Sequence, residues 1–216
     1  MFSNGCELST ALTNVLISIS AFFSFLKIRK CKNIVVNKLW RIFYILLFAD
    51  GILGFLIHGI LFNEIIVNIL WIILSFLFCL TVNTLLIIFM NKVKSCIEFK
   101  NSLIVIILSS ILIFSVLLIE IINNLEFLTT FIFYACIVLL LIFISCVYLI
   151  YKLNKKVNYC YLIGIIFQII GGLLLIKSDF TIKIIYDFDN NGIYHLFMVL
   201  TIISFYLGNN IENSKK

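Results

Sequence analysis

Proline does not occur in the 216 residues, and only 12% of them are charged. The absence of proline removes the commonest cause of a sharp helix kink. The shortage of charge is more decisive, because a soluble domain averages about a quarter charged residues. Histidine is scarce too, with His58 and His195 alone. No C-x-x-C pair occurs among Cys6, Cys31, Cys79, Cys96, Cys136, Cys146 and Cys160, so the pattern gives no sign of metal or redox chemistry. What fills the chain instead is apolar: 63% hydrophobic residues, 22 phenylalanines and a mean hydropathy of +1.22. Too few polar side chains remain to cover a soluble core. The composition therefore excludes a soluble enzyme, a secreted disulfide scaffold, a nucleic-acid-binding domain and a disordered chain. It leaves a polytopic membrane protein whose first partner is the lipid bilayer.

Seven apolar runs are long enough to cross a bilayer, which takes roughly 20 residues. Their limits are 9–28, 39–62, 64–91, 102–123, 126–151, 159–177 and 193–209. The third and fifth exceed the minimum and are expected to tilt or extend past the membrane. The runs are continuous rather than alternating, which selects helices over a barrel. The expected fold is all-α, a seven-helix bundle forming one membrane domain over 1–216. Ile, Phe, Asn and Lys, the residues of AT-rich codons, are abundant, so an Ile/Phe run says little beyond "apolar". The expected location is the cytoplasmic membrane of a bacterium.

Charge sets the expected orientation. Fourteen of the sixteen basic residues fall on one side of the seven spans, in the first, third and fifth connections and the C-terminal tail. Only Lys177 and Lys183 fall on the other. The positive-inside rule places the fourteen in the cytoplasm, with the N-terminus outside and the C-terminus inside. Residues 1–8 carry no basic residue, so the first run reads as a retained span rather than a signal peptide. Cys6 has no cysteine partner on the outer side, and no intrachain disulfide is expected. Trp40 and Arg41 read as an anchor at the cytoplasmic interface.

Polar residues within spans usually face the bundle interior. Asp50, Gly54 and His58 recur every four residues and share one stripe of helix 2. Helix 3 carries Glu64, Asn68, Trp71, Ser75, Cys79 and Asn83 at helical spacing, and helix 6 carries Tyr161, Gly164, Gln168 and Gly171. Helices 1, 2, 3, 6 and 7 are thus expected to surround a polar interior, with 4 and 5 as lipid-facing wall. Two layers emerge. His58 and His195 lie near the outer face, where Glu7, Asn14, Asn68 and Asp189 complete a candidate pocket. Asp50 lies about 12 Å deeper on a helical rise of ~1.5 Å per residue, level with Ser18, Ser75 and Gln168. An ionised Asp there costs about 2.5–3.5 kcal/mol on insertion scales, so Asp50 is expected to be protonated or tightly partnered. Gly51 and Gly54 leave room for a neighbouring helix.

Three segments carry a resemblance: Glu7 before the polar start of helix 1, Leu39-Trp40-Arg41-Ile42-Phe43-Tyr44 leading to Leu53-Gly54-Phe55-Leu56-Ile57-His58-Gly59, and Asn191-Gly192-Ile193-Tyr194-His195. Together they resemble an uncharacterised family of small seven-span membrane proteins, distantly similar to the superfamily of alkaline ceramidases and progestin/adiponectin-type receptors. The resemblance implies a zinc site with His58 and His195 as ligands. That superfamily has a second helix-7 His four residues on, a Ser four before the helix-2 His and an Asp on helix 3. This chain has Val199, Gly54 and Asn68 there. Two functions remain open: binding or metal-assisted hydrolysis of a lipid amide or ester at the outer pocket, or a non-enzymatic transporter or ligand-binding protein using the Asp50 layer. No Lys lies within helix 7 for a retinal Schiff base, and the absence of proline removes the proline motifs of sugar-efflux and rhodopsin-type proteins.

The orientation is directly testable. A reporter active only outside the cytoplasm is expected to be silent when fused after Lys216 and active when fused before Met1. The reverse pattern would overturn it.

Overall fold

A backbone inside hydrocarbon must satisfy its own N–H and C=O groups, and a proline-free apolar run does so as an uninterrupted helix. In the computed structural model the seven runs are α1 (Cys6–Lys27), α2 (Ile34–Gly59), α3 (Glu64–Val93), α4 (Phe99–Ile122), α5 (Phe127–Leu153), α6 (Lys156–Ile176) and α7 (Asn190–Ser214). The structure describes residues 6–28, 34–93, 99–122, 127–153, 155–176, 182–183 and 187–214. All seven helices are long and apolar enough to span a membrane. Between α6 and α7, β1 (Ile182–Lys183) pairs antiparallel with β2 (Asp187–Phe188). Several helices overrun their apolar cores: α2 begins at Ile34 and α7 continues to Ser214. Hydropathy measures the hydrocarbon-crossing part of a helix, while backbone hydrogen bonding continues into the polar interface.

Helices consecutive in sequence run in opposite directions where they pack, as paired residues show. Ser18 meets Phe48 and Ala11 approaches Gly59 across α1 and α2. Asp50 meets Thr81 and His58 meets Trp71 across α2 and α3. Asn83 meets Ser110 and Asn91 meets Ser102 across α3 and α4. Gly164 meets Phe205 and Gly171 meets Phe197 across α6 and α7. The α1 and α7 helices are parallel, with Thr10 beside Asp189 and Thr13 beside His195.

The packing order closes a ring of six helices, α1–α2–α3–α5–α6–α7 and back to α1, with α4 applied to the outside mainly against α3. This corrects one sequence-based expectation. The α4 helix is peripheral as expected, but α5 is a member of the ring. Its side chains are apolar on both faces, so polarity could not tell its inward face from its lipid face.

Helices α1 and α2 approach closely at two glycines. A Cβ at Gly51 would lie 2.7 Å from the Asn14 carbonyl oxygen and crowd the Ser18 hydroxyl, and one at Gly54 would run into the Asn14 side chain. Ser18 donates to the Phe48 carbonyl at 3.1 Å, tying the two backbones together. Hydrophobic burial does not drive association within a bilayer, so close packing and such hydrogen bonds hold the pair. Gly54→Leu is expected to destabilise the protein by about 1–3 kcal/mol through overpacking, read as unfolding in mixed micelles. Unchanged stability would mean that α1 is not packed against this face.

Candidate functional site

Where α1 begins, at the amino end of the bundle, polar groups link α1 to α7. Asp189 caps α7: its Oδ1 accepts the Gly192 N–H at 2.8 Å, and its carbonyl accepts the Ile193 N–H at 3.1 Å. The same Oδ1 accepts the Thr10 hydroxyl at 2.9 Å. Thr13 Oγ1 lies 3.1 Å from His195 Nδ1 and donates to the Thr10 carbonyl at 2.9 Å. His58 lies edge-on to Trp71, ring centres 5.7 Å apart, within electrostatic range of His195. Asn14 is buried, donating to the Thr10 carbonyl at 3.0 Å and packing on Gly54. The side chain of Glu7 lies outside the described residues. Asn68 is exposed and joins none of these groups. The first turns of α3 are largely exposed, so its polar stripe turns inward only from Ser75 onward.

The sequence-predicted central layer does not form a single network. Asp50 is 7% exposed, and its Oδ2 accepts from Thr81 at 2.8 Å. The depth-matched candidates bond elsewhere: Ser18 to Phe48, Ser75 to the Trp71 carbonyl at 2.8 Å, and Gln168 Nε2 to the Tyr194 hydroxyl at 2.7 Å. A buried serine satisfies its proton on its own helix four residues back, without a partner helix. Thr81 was missed in the sequence because it sits within an apolar stretch and on the opposite face of α3 from the Cys79–Asn83 stripe.

A cavity of about 460 Å³ opens among α2, α3, α5, α6 and α7. Phe43, Leu85, Ile142 and Phe205 line one end. Its wall is apolar except for Thr81, Gln168, Tyr194, Thr201 and Cys136. The interior is therefore mainly greasy, not polar as the sequence suggested, because most polar side chains are spent between pairs of helices. Leu140, Leu173 and Ile176, which are 58%, 65% and 57% exposed, also belong to the lining. The cavity thus reaches the lipid-facing surface between α5 and α6.

At the carboxyl end, where α7 finishes, an aromatic and ionic cluster closes the bundle. Trp40 is 1% exposed and stacks on Tyr161 (5.6 Å, 14°) and Tyr44 (5.8 Å, 24°). This corrects its expected role as an interface anchor: the indole is core. Arg41, one residue on, points outward near Phe25. The Tyr161 hydroxyl donates to Asn209 Oδ1 at 2.8 Å, and Asn209 Nδ2 donates to the Tyr44 hydroxyl at 3.2 Å. Lys92 lies over the Tyr161 ring, 4.4 Å from its centre, and pairs with Glu212. Gly164 makes room for Phe205 and Gly208 for Tyr161.

Zinc catalysis takes three protein ligands and an open position. Among the described residues no three His, Cys, Asp or Glu side chains come together in a way that would hold a metal. His195 Nδ1 faces Thr13, and Val199 stands one turn on. Among the described residues, His58 and His195 are joined by no third ligand of the kind a zinc site takes.

The fold and its cavity define a multi-pass α-helical membrane protein, a bundle of seven apolar helices. Residues 9–213 match a family of unknown function, DUF6962, and the chain belongs to that family. No curated protein and no solved structure matches it.

The Asp189 cap has a measurable role. Asp189→Ala removes the acceptor for both Gly192 and Thr10 and is expected to lower stability by about 1 kcal/mol. Thermal unfolding in detergent reads this, and a transition identical to wild type would remove the cap from the account.

Proposed function

We propose that this protein binds a lipophilic molecule taken from the bilayer into the cavity among α2, α3, α5, α6 and α7. The observation that carries the reading is the shape and chemistry of that cavity. Its volume of about 460 Å³ lies within the ~300–1,000 Å³ of small-molecule sites, which are typically apolar with a few placed polar groups. Its lipid-facing rim at Leu140, Leu173 and Ile176 supports entry from the membrane rather than from water. His195 belongs to a tie between α1 and α7, in which Thr10, Thr13 and Asp189 also bond one another, while His58 packs against Trp71 of α3. Hydrolysis of a lipid amide or ester would need a nucleophile or a metal-bound water, and among the described residues no group of three metal-ligating side chains supports that reading. The 14:2 distribution of basic residues supports an orientation with the amino end outside and the carboxyl end in the cytoplasm.

Gly172 provides the test. It lines the cavity, and a Cβ added there meets nothing within 4 Å. Gly172→Phe therefore fills the cavity without disturbing the backbone, and it replaces a poor helix former. The variant is expected to fold at least as well as wild type and to bind an environment-sensitive fluorescent fatty alcohol at least about tenfold more weakly, a loss of ~1.4 kcal/mol. Equal binding by the two folded proteins would place the ligand elsewhere and end this reading.

A further inference from the structure

A ligand in an apolar cavity is cut off from water, so each of its polar atoms needs a partner on the wall. This wall offers few. Among the described residues of its lining there is no Asp, Glu, Lys, Arg or His. Thr81 directs its hydroxyl proton at Asp50 (2.8 Å) and at the Leu77 carbonyl (2.9 Å). Thr201 directs its own at the Gly164 and Phe197 carbonyls, at 3.0 and 2.9 Å. A thiol such as that of Cys136 is only a weak donor. That leaves Gln168 on α6 and Tyr194 on α7, both half-buried and both on the wall.

These two side chains bond each other and still have capacity to spare. Gln168 Nε2 donates to the Tyr194 hydroxyl at 2.7 Å. The Tyr194 O–H then has no acceptor among the described residues, and Gln168 Oε1 has no donor. Asp50 Oδ1 and the Tyr134 hydroxyl are sealed in the packing, whereas Gln168 Oε1 is not. With the amide turned over, Tyr194 would donate to Oε1 and both Nε2 hydrogens would be unused. In either arrangement an unused O–H or N–H stands on the cavity wall. Along α7, Phe205 lies eleven residues past Tyr194, about 16 Å on a rise of ~1.5 Å per residue. Met198 and Ile202 line the wall between them. The polar pair and the greasy end at Phe205 are therefore well separated along the cavity.

We infer that Gln168 and Tyr194 hold the head of the cavity's occupant, and that this occupant is an uncharged amphiphile whose head oxygen accepts a hydrogen bond, as in a long-chain alcohol or ketone. The inference rests on the cavity being a binding site. A hydroxyl or carbonyl oxygen takes the unused proton of the pair. The chain runs toward Phe43, Leu85, Ile142 and Phe205. A plain hydrocarbon leaves that proton unpaired in a site it has emptied of water. An ionised head loses its hydration and meets no counter-charge on the wall, which is the larger penalty. Selection for an oxygen-bearing head follows, since a site with polar groups to satisfy rejects an analogue that leaves them unpaired.

Matched competitors separate this inference from the reading beneath it. Decanol, methyl nonyl ketone, undecane, decylguanidinium and decyl sulfate have similar chains and differ in the head. Each is titrated against the fluorescent fatty alcohol bound to purified protein in nanodiscs and compared at equal mole fraction in the bilayer. Decanol and the ketone are expected to displace the probe about tenfold more effectively than undecane, the size of one buried hydrogen bond. They are expected to lead the two charged competitors by at least as much. Combining Gln168→Leu with Tyr194→Phe removes both partners at similar shape, a change that folding tolerates. In that variant decanol and the ketone are expected to fall to the level of undecane. Equal displacement by decanol, ketone and undecane, all lost in Gly172→Phe, overturns the head-group inference and leaves the cavity reading standing. So does a preference that survives in the double variant, or displacement by a charged competitor as strong as by decanol. Probe binding no tighter in wild type than in Gly172→Phe overturns both readings. If the double variant does not fold, the carbonyl stretch of the ketone bound to wild type decides. A frequency lowered by hydrogen bonding is expected, and one equal to that in hydrocarbon overturns the inference.

Discussion

Helices surrounded by lipid gain little by burying apolar surface against one another, because the lipid tails are as apolar as the side chains. This bundle depends instead on places where a glycine admits a bulky or polar neighbour. Gly51 and Gly54 receive Ser18 and Asn14, Gly164 receives Phe205, Gly171 receives Phe197 and Gly208 receives Tyr161. These contacts join α1 to α2 and α6 to α7, the two most extensively packed pairs. The contact of α1 with α7 then closes the ring, and the Thr10–Asp189 bond secures it at one end.

Among the described residues, side-chain clusters tie the ring together at either end, and the cavity opens at the side. At the amino end the cluster is polar: threonines of α1 against Asp189 and His195. At the carboxyl end it is aromatic, with Trp40 between Tyr44 and Tyr161 and the Lys92–Glu212 pair beyond. Between them lies a cavity whose lining includes exposed residues of α5 and α6.

Much of the architecture was legible because hydropathy is a bulk property. Span number, helical character and the direction of each helix follow from run length and connectivity, and neither needs a partner to be known. The polar stripe of α2 was legible for a related reason: Asp50, Gly54 and His58 contrast with their surroundings. Partners were harder. The sequence pointed to Ser18, Ser75 or Gln168 for Asp50 on grounds of depth, yet each satisfies itself or a different helix, and Thr81 takes the place. Trp40 read as interfacial because it precedes Arg41, but a rotation of one position on a helix separates the buried indole from the exposed guanidinium. Asn68 followed the α3 stripe in sequence and missed the interior, because the start of that helix lies outside the packed ring.

The sequence by itself determined a seven-span helical membrane protein with its basic charge on one side, since every one of those properties is a sum over many residues and tolerates local error. The tertiary structure alone decided that α5 belongs to the ring and α4 does not, that the interior is an apolar cavity, and that Gln168 and Tyr194 meet on its wall. Each of these depends on how a helix is rotated about its axis. In a chain where nearly every face is apolar, rotation leaves almost no trace in the pattern of residues; it is set by which glycine faces which large side chain across the interface.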